Sequence, residues 1–116
     1  QEDHMTTSTA LDCNQRKHSN LMDREHQLRD GELEALCFDY VKPHSFQDQV
    51  EGYWRMQLSW GGPSDELRAF VNEDKEIHRL EYWFMDWYDG SEIILDPSCN
   101  AGMWNHMQTG IECSIT

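Results

Sequence analysis

No run in this sequence approaches the roughly 18 consecutive apolar residues that a membrane-spanning helix needs, and no basic segment followed by an apolar stretch marks a secretory signal. The expectation is a cytoplasmic protein. Positive charge is also scarce, with 9 Lys and Arg against 22 Asp and Glu in 116 residues, a formal charge of −13. Such an excess steers a protein toward basic partners and makes nucleic acid and anionic membrane poor direct ligands. Paired cysteine motifs are missing as well. Cys13, Cys37, Cys99 and Cys113 are spaced by 24, 62 and 14, which matches neither a C-x-x-C metal knuckle nor a redox dithiol. Four free thiols are expected; disulfides, or a composite zinc site with His44 or His106, are the alternatives. No cofactor is expected.

What the chain does have is bulk. A mean hydropathy of −0.82 would suit a disordered acidic chain, but five Trp, four Tyr and four Phe supply the anchors that such chains lack. The length suits one domain able to bury a single core without disulfide staples. Residues 1–4, QEDH, precede Met5 and read as a tag remnant, so residues 1–9 are expected to be a flexible start and 10–116 the domain.

The order of signals predicts helices first and sheet second, an α+β arrangement. Asn20 offers an N-cap with Asp23 three residues on, and Gly31 stops a short helix that ends at Leu28, with residues 10–19 a weak extension. Leu33, Leu36, Cys37, Tyr40 and Val41 fall on one helical face, and Lys42-Pro43 would end that second helix. From Tyr53 the period becomes two. Trp54, Met56, Leu58 and Trp60 share one side of a strand broken at Gly61-Gly62-Pro63-Ser64. A second strand fits 66–71, residues 72–75 form a turn, and a third strand covers about 77–87. Asp89-Gly90 is a hairpin dipeptide leading to a fourth strand over 91–95, and a short helix is expected over 101–109. The result is N-terminal helices packed on a three- to four-stranded antiparallel meander, with a short C-terminal helix. Leu80, Tyr82 and Phe84 should face the core; Glu81, Trp83, Met85 and Trp87 point the other way.

Candidate chemistry is thin. Asp86 and Asp89 near Glu81 imitate paired glycosidase carboxylates, but in an acidic chain such proximity arises by chance. D-x-x-D-G-S lacks the alternating ligands of an EF-hand. Cys37, Asp39 and His44 are close in sequence, yet Cys37 falls on an apolar face where cysteine packs as a small hydrophobe. The Gly61-Gly62 turn has neither the Lys nor the helix of a phosphate loop.

Residues 65–96 hold ten acids and three bases, a net of −7. A solvated face is the plainest reading; a surface complementary to a basic site is the alternative. Duplex DNA carries a charge every ~1.7 Å, whereas same-face residues on one strand recur only every ~6.8 Å. Several strands and turns together would be needed to imitate it. An aromatic centre with an acidic rim also suits a protein interface.

MQLSWGGPSDELRAFVNEDKEIHRLEYWFMDWYDG, residues 56–90, combines a GGP turn, a hairpin and an EYWFxDWxDG-like segment. Over that third of the chain it resembles small proteins of bacterial mobile elements and phages, in the neighbourhood of anti-CRISPR and anti-restriction proteins. The resemblance implies a non-enzymatic blocker of a nucleic-acid-processing complex and carries over no catalytic residue. The expected contact set is Glu73, Asp74, Glu76, Glu81, Asp86 and Asp89 against partner Lys and Arg, with Trp83, Trp87 and Tyr88 as apolar anchors. An immunity protein or antitoxin for a cognate toxin, and a small metal-binding or hydrolytic enzyme, are the alternatives. Homodimerisation is compatible with each.

Overall fold

In a computed structural model of the chain, the backbone is described for residues 2–46, 48–60, 63–86 and 89–115, and the side chains for those from 15 onward except 89 and 115. The order is α1 (Glu2–Arg29), β1 (Cys37–Val41), β2 (Tyr53–Ser59), β3 (Ser64–Val71), β4 (Ile77–Asp86), β5 (Asp89–Leu95) and α2 (Ala101–Ile115). The five strands form one antiparallel sheet in chain order. The α+β architecture is thus as expected, with a fuller meander and a longer C-terminal helix.

Two expectations about local structure are corrected. The helix expected over residues 33–41 is instead the edge strand β1, paired so that Phe38 lies opposite Met56 and Tyr40 opposite Trp54. Its apolar residues fit a helical stripe, but that stripe leaves Phe38 out; in the strand Phe38 stacks on Trp54 with centroids 5.6 Å apart. Aromatic and β-branched residues favour this pleated, half-buried setting. The second correction is Asn20, which lies within α1 and is no cap. Gly31 does end the helix: at φ 73 it allows Glu32 N to bond Gln27 O (2.7 Å) and Gly31 N to bond Leu28 O (3.1 Å), a Schellman stop.

The core lies between the helices and one face of the sheet. Leu67, Ala69, Leu80, Tyr82 and Phe84 are buried there, as the period of two requires, and meet Leu21 of α1 and Met103, Met107 and Ile111 of α2. Those three α2 residues recur every four, on one helical stripe. Each large side chain so buried contributes roughly 1.5–3 kcal/mol. At Gly110 of α2, a β-carbon would meet the Phe38 ring at 3.3 Å, so glycine lets helix and edge strand approach.

The β2–β3 register shifts between Gln57 and Ser59. A bulge of this kind sets two residues against one, which brings Ser59 to Asp65 and throws Trp60 out of the expected alternation into solvent. Gly61 and Gly62 of the expected turn lie outside the described residues. The turn at 72–75 forms as expected: Asn72 Oδ1 accepts from Asp74 N (2.9 Å) and Glu76 N (3.0 Å).

Candidate functional site: the open face of the sheet

The face of the sheet turned away from the helices is built from the residues that alternate with the core set. Arg55 lies opposite Asp39 on β1 and Arg68 on β3; Arg68 in turn lies opposite Glu81 of β4. Like charges directly opposed across a strand pair are destabilising, and the structure resolves the Arg55–Arg68 conflict by giving each arginine its own carboxylate. Arg55 donates Nε and Nη2 to Asp39 at 3.1 and 2.8 Å, a fork-to-fork pair. Arg68 Nε donates to Glu66 at 2.6 Å, and Arg79 Nε donates to Glu81 at 3.0 Å.

Aromatic rings fix the same guanidinium groups. Arg68 Cζ lies 4.1 Å from the Trp83 ring centroid and 5.0 Å from that of Tyr53, and Arg79 lies 4.0 Å from Phe70. Each stacking adds about 0.5–2 kcal/mol, more as water is excluded. Val41, Tyr53 and Phe70 form a small apolar cluster beneath them. Hydrogen bonding to Asp39 raises the Arg55 pKa against the cost of burial, and burial raises that of the Tyr53 hydroxyl.

One wall of this face is the β1–β2 connection, residues 42–52. Gln49 braces it: its Oε1 accepts from Ser45 N and Phe46 N, and its Nε2 donates to Lys42 O and Glu51 O, all at 3.0 Å. His44 and Asp48 take left-handed backbone angles, φ 64 and 63. The bracing leaves Phe46 and Val50 exposed, at 55% and 77%. Together, wall and sheet enclose a groove of about 640 Å³ lined by Phe46, Val50, Tyr53, Phe70 and Trp83, by the three arginines, and by Asp48, Glu51, Glu66, Glu81 and Glu92. That volume is in the range of small-ligand clefts, ~300–1,000 Å³.

The described residues among those expected from sequence to contact a partner lie in separate places. Glu73, Asp74 and Glu76 are exposed at the β3–β4 turn. Glu81 and Trp83 do come together, Trp83 Nε1 donating to Glu81 Oε1 at 2.9 Å, but Glu81 is only 8% exposed and lies inside the groove. Asp86 sits on the helix side and bonds Arg16 at 2.6 Å. It therefore does not converge with Glu81. The length of β4, about 30 Å at ~3.3 Å per residue, separates the turn acids from the β4–β5 hairpin. Trp87 and Tyr88 lie outside the described residues, as does the Asp89 side chain.

Ten acids in residues 65–96 overstated the surface charge there, because Asp65, Glu66 and Glu81 are buried. Asp65 belongs to the helix side. Its carboxylate accepts from Arg24 Nε and Nη2 at 2.8 and 2.9 Å, from Asn20 Nδ2 at 2.9 Å, from Tyr82 Oη at 2.6 Å and from Ser59 Oγ. Burial pushes the Asp65 carboxyl up, but the bonds from Arg24, Ser59 and Tyr82 outweigh it and hold it below the ordinary value. Burial, then the Asp65 bond, drives the Tyr82 hydroxyl far above the usual phenol range.

Cys37 and Cys99 are free thiols, and among the described residues no three His, Cys, Asp or Glu are grouped to hold a metal ion. His44 is exposed in the 42–52 loop, whereas His106 is half-buried on α2 with its pKa lowered by burial. No described helix is long and apolar enough to cross a membrane. Strand alternation alone could have placed Arg55, Arg68 and Arg79 opposite the core, since each is adjacent in sequence to a buried residue; their mutual register could not be read without the pairing. Comparisons with protein-family models, with curated proteins and with solved structures find no match.

Proposed function

We propose that this chain is a non-enzymatic acidic inhibitor that binds the basic surface of a nucleic-acid-handling complex in the cytoplasm of a bacterial host, in the manner of anti-CRISPR or anti-restriction proteins. One observation carries this reading: among the described residues the fold covers a larger share of its Lys and Arg than of its Asp and Glu. Lys17, Arg24, Arg55, Arg68 and Arg79 are buried or half-buried, which leaves only Arg16, Arg29, Lys42 and Lys75 exposed. Twelve carboxylates are exposed among the described residues, including Asp30, Glu32 and Glu34 between α1 and β1 and Glu73, Asp74 and Glu76 at the β3–β4 turn. The surface is more one-sided than the composition, and such a field accelerates encounter with a basic partner.

The turn acids form no ion pair among the described residues, so they are the first contacts to test. Affinity capture from bacterial lysate at low salt should recover a basic nucleic-acid-binding protein and lose it at high salt, because attraction between exposed charges is screened beyond about 8 Å at physiological ionic strength. Glu73→Lys with Asp74→Lys and Glu76→Lys should weaken that capture at least tenfold. Recovery of a cognate toxin would favour the immunity-protein alternative; recovery of neither class rejects inhibition by charge complementarity.

A further inference from the structure

We infer that the groove on the open face is a separate binding site for a ligand with a single carboxylate on an apolar body. Arg68 spends Nε on Glu66 and lies over the Trp83 and Tyr53 rings, while its Nη groups have no acceptor among the described residues. Arg55, directly across the strand pair, uses Nε and Nη2 and leaves Nη1 in the same condition. Two planar donor groups, from residues paired across β2 and β3, are thus held along the groove by stacking and by pairing, with donors to spare. Carboxylate is the oxyanion that a guanidinium fork matches.

The surroundings narrow the ligand further. Asp48, Glu51, Glu66, Glu81 and Glu92 outnumber the three arginines along the groove. A multiply charged phosphate would meet this excess as repulsion, whereas one carboxylate adds a single negative charge. Apolar surface is offered by Phe46 and Val50, which the Gln49-braced loop holds exposed, and by Tyr53, Phe70 and Trp83 below. Unlike the acidic perimeter, this site offers unused guanidinium donors to a carboxylate, so it stands or falls independently of the function proposed above.

The test is titration of the ¹⁵N-labelled chain, read at the Arg68 Nε–H and Trp83 indole N–H resonances. The probes are 4-phenylbutyrate and N-acetyl-Leu-Phe with a free carboxyl end, each beside its amide. The acids should shift both resonances at millimolar concentration and bind about tenfold or more tightly than the amides, since bonds to a charged acceptor are about twice as strong as neutral ones. Preference for one acid over the other separates a free small acid from a peptide C-terminus. Glu66→Gln releases Arg68 from its internal partner and should tighten acid binding several-fold, an effect that a purely structural ion pair does not produce. Glu66→Gln with Arg68→Gln keeps the pair neutral and should abolish it. Equal binding of acid and amide, no shift at millimolar probe, or unchanged affinity in the double variant overturns the inference.

Discussion

The two faces of the sheet use the same strands and solve opposite problems. Toward the helices, alternate residues are apolar, with the Asp86–Arg16 pair and a buried cluster in which Asp65 accepts from Arg24, Asn20, Ser59 and Tyr82. Toward the open side, charges come as pairs, Arg55–Asp39, Arg68–Glu66 and Arg79–Glu81. In the first case a single carboxylate ties α1 to three strands, and removing it strands several buried donors at once. In the second, each pair is local and could be neutralised as a unit. The helix face is therefore where charge builds the fold, and the open face is where charge is paired locally.

The largest effect should come from Asp65→Ala. Breaking a buried pair typically costs about 3–5 kcal/mol, and Tyr82, Asn20 and Ser59 lose their acceptor as well. Urea denaturation should show that loss, with detachment of α1 visible as faster amide exchange over residues 16–28.

Acid should act through the same carboxylate. Its folded pKa lies below the ordinary value, so the stabilisation is complete above the unfolded pKa of about 3.9 and is lost as pH falls through the folded one. Denaturation midpoints measured from neutral pH to pH 3 should fall along this limb. Asp65→Asn should lower the starting midpoint and flatten the limb.

On the open face the expected effects are smaller. Arg68→Gln alone leaves Glu66, 4% exposed, without its cation and should cost about 1–3 kcal/mol. At the β3–β4 turn, reversing Glu73, Asp74 and Glu76 should move stability by no more than about 0.5 kcal/mol per site, as for surface positions generally. A large loss there would show that the turn charges are structural and would undercut their role in binding.

How far the sequence disclosed this division depended on periodicity. Leu67, Ala69, Leu80, Tyr82 and Phe84 were legible because a period of two admits few alternatives. Residues 37–41 were misread because five residues between Leu36 and Lys42 satisfy a helical stripe almost as well as a strand, and only pairing with β2 decides. The length of α1 was hidden for another reason. Its inward stripe includes Lys17, Asn20, Leu21, Arg24 and Leu28, anchored by bonds to Ser91, Glu92 and Asp65 more than by apolar bulk. Polar docking leaves no hydrophobic signature. Asp65, Glu66 and Glu81 were counted as surface charge for the same reason, since burial of an acid depends on partners far away in sequence. The acidic perimeter was legible in composition, whereas the groove, which needs the strand register and the 42–52 loop, was not.

The division between the faces is tested most directly by urea unfolding of two paired neutral variants, Arg24→Gln with Asp65→Asn, and Arg55→Gln with Asp39→Asn. Arg55 and Asp39 are partly exposed, and ion pairs in such settings typically contribute about 0–1 kcal/mol. The open-face variant should therefore stay within about 1 kcal/mol of the parent, while the helix-face variant, whose carboxylate also serves Tyr82, Asn20 and Ser59, should lose about 3 kcal/mol or more. Equal losses, or a greater loss from the open-face variant, would contradict the account.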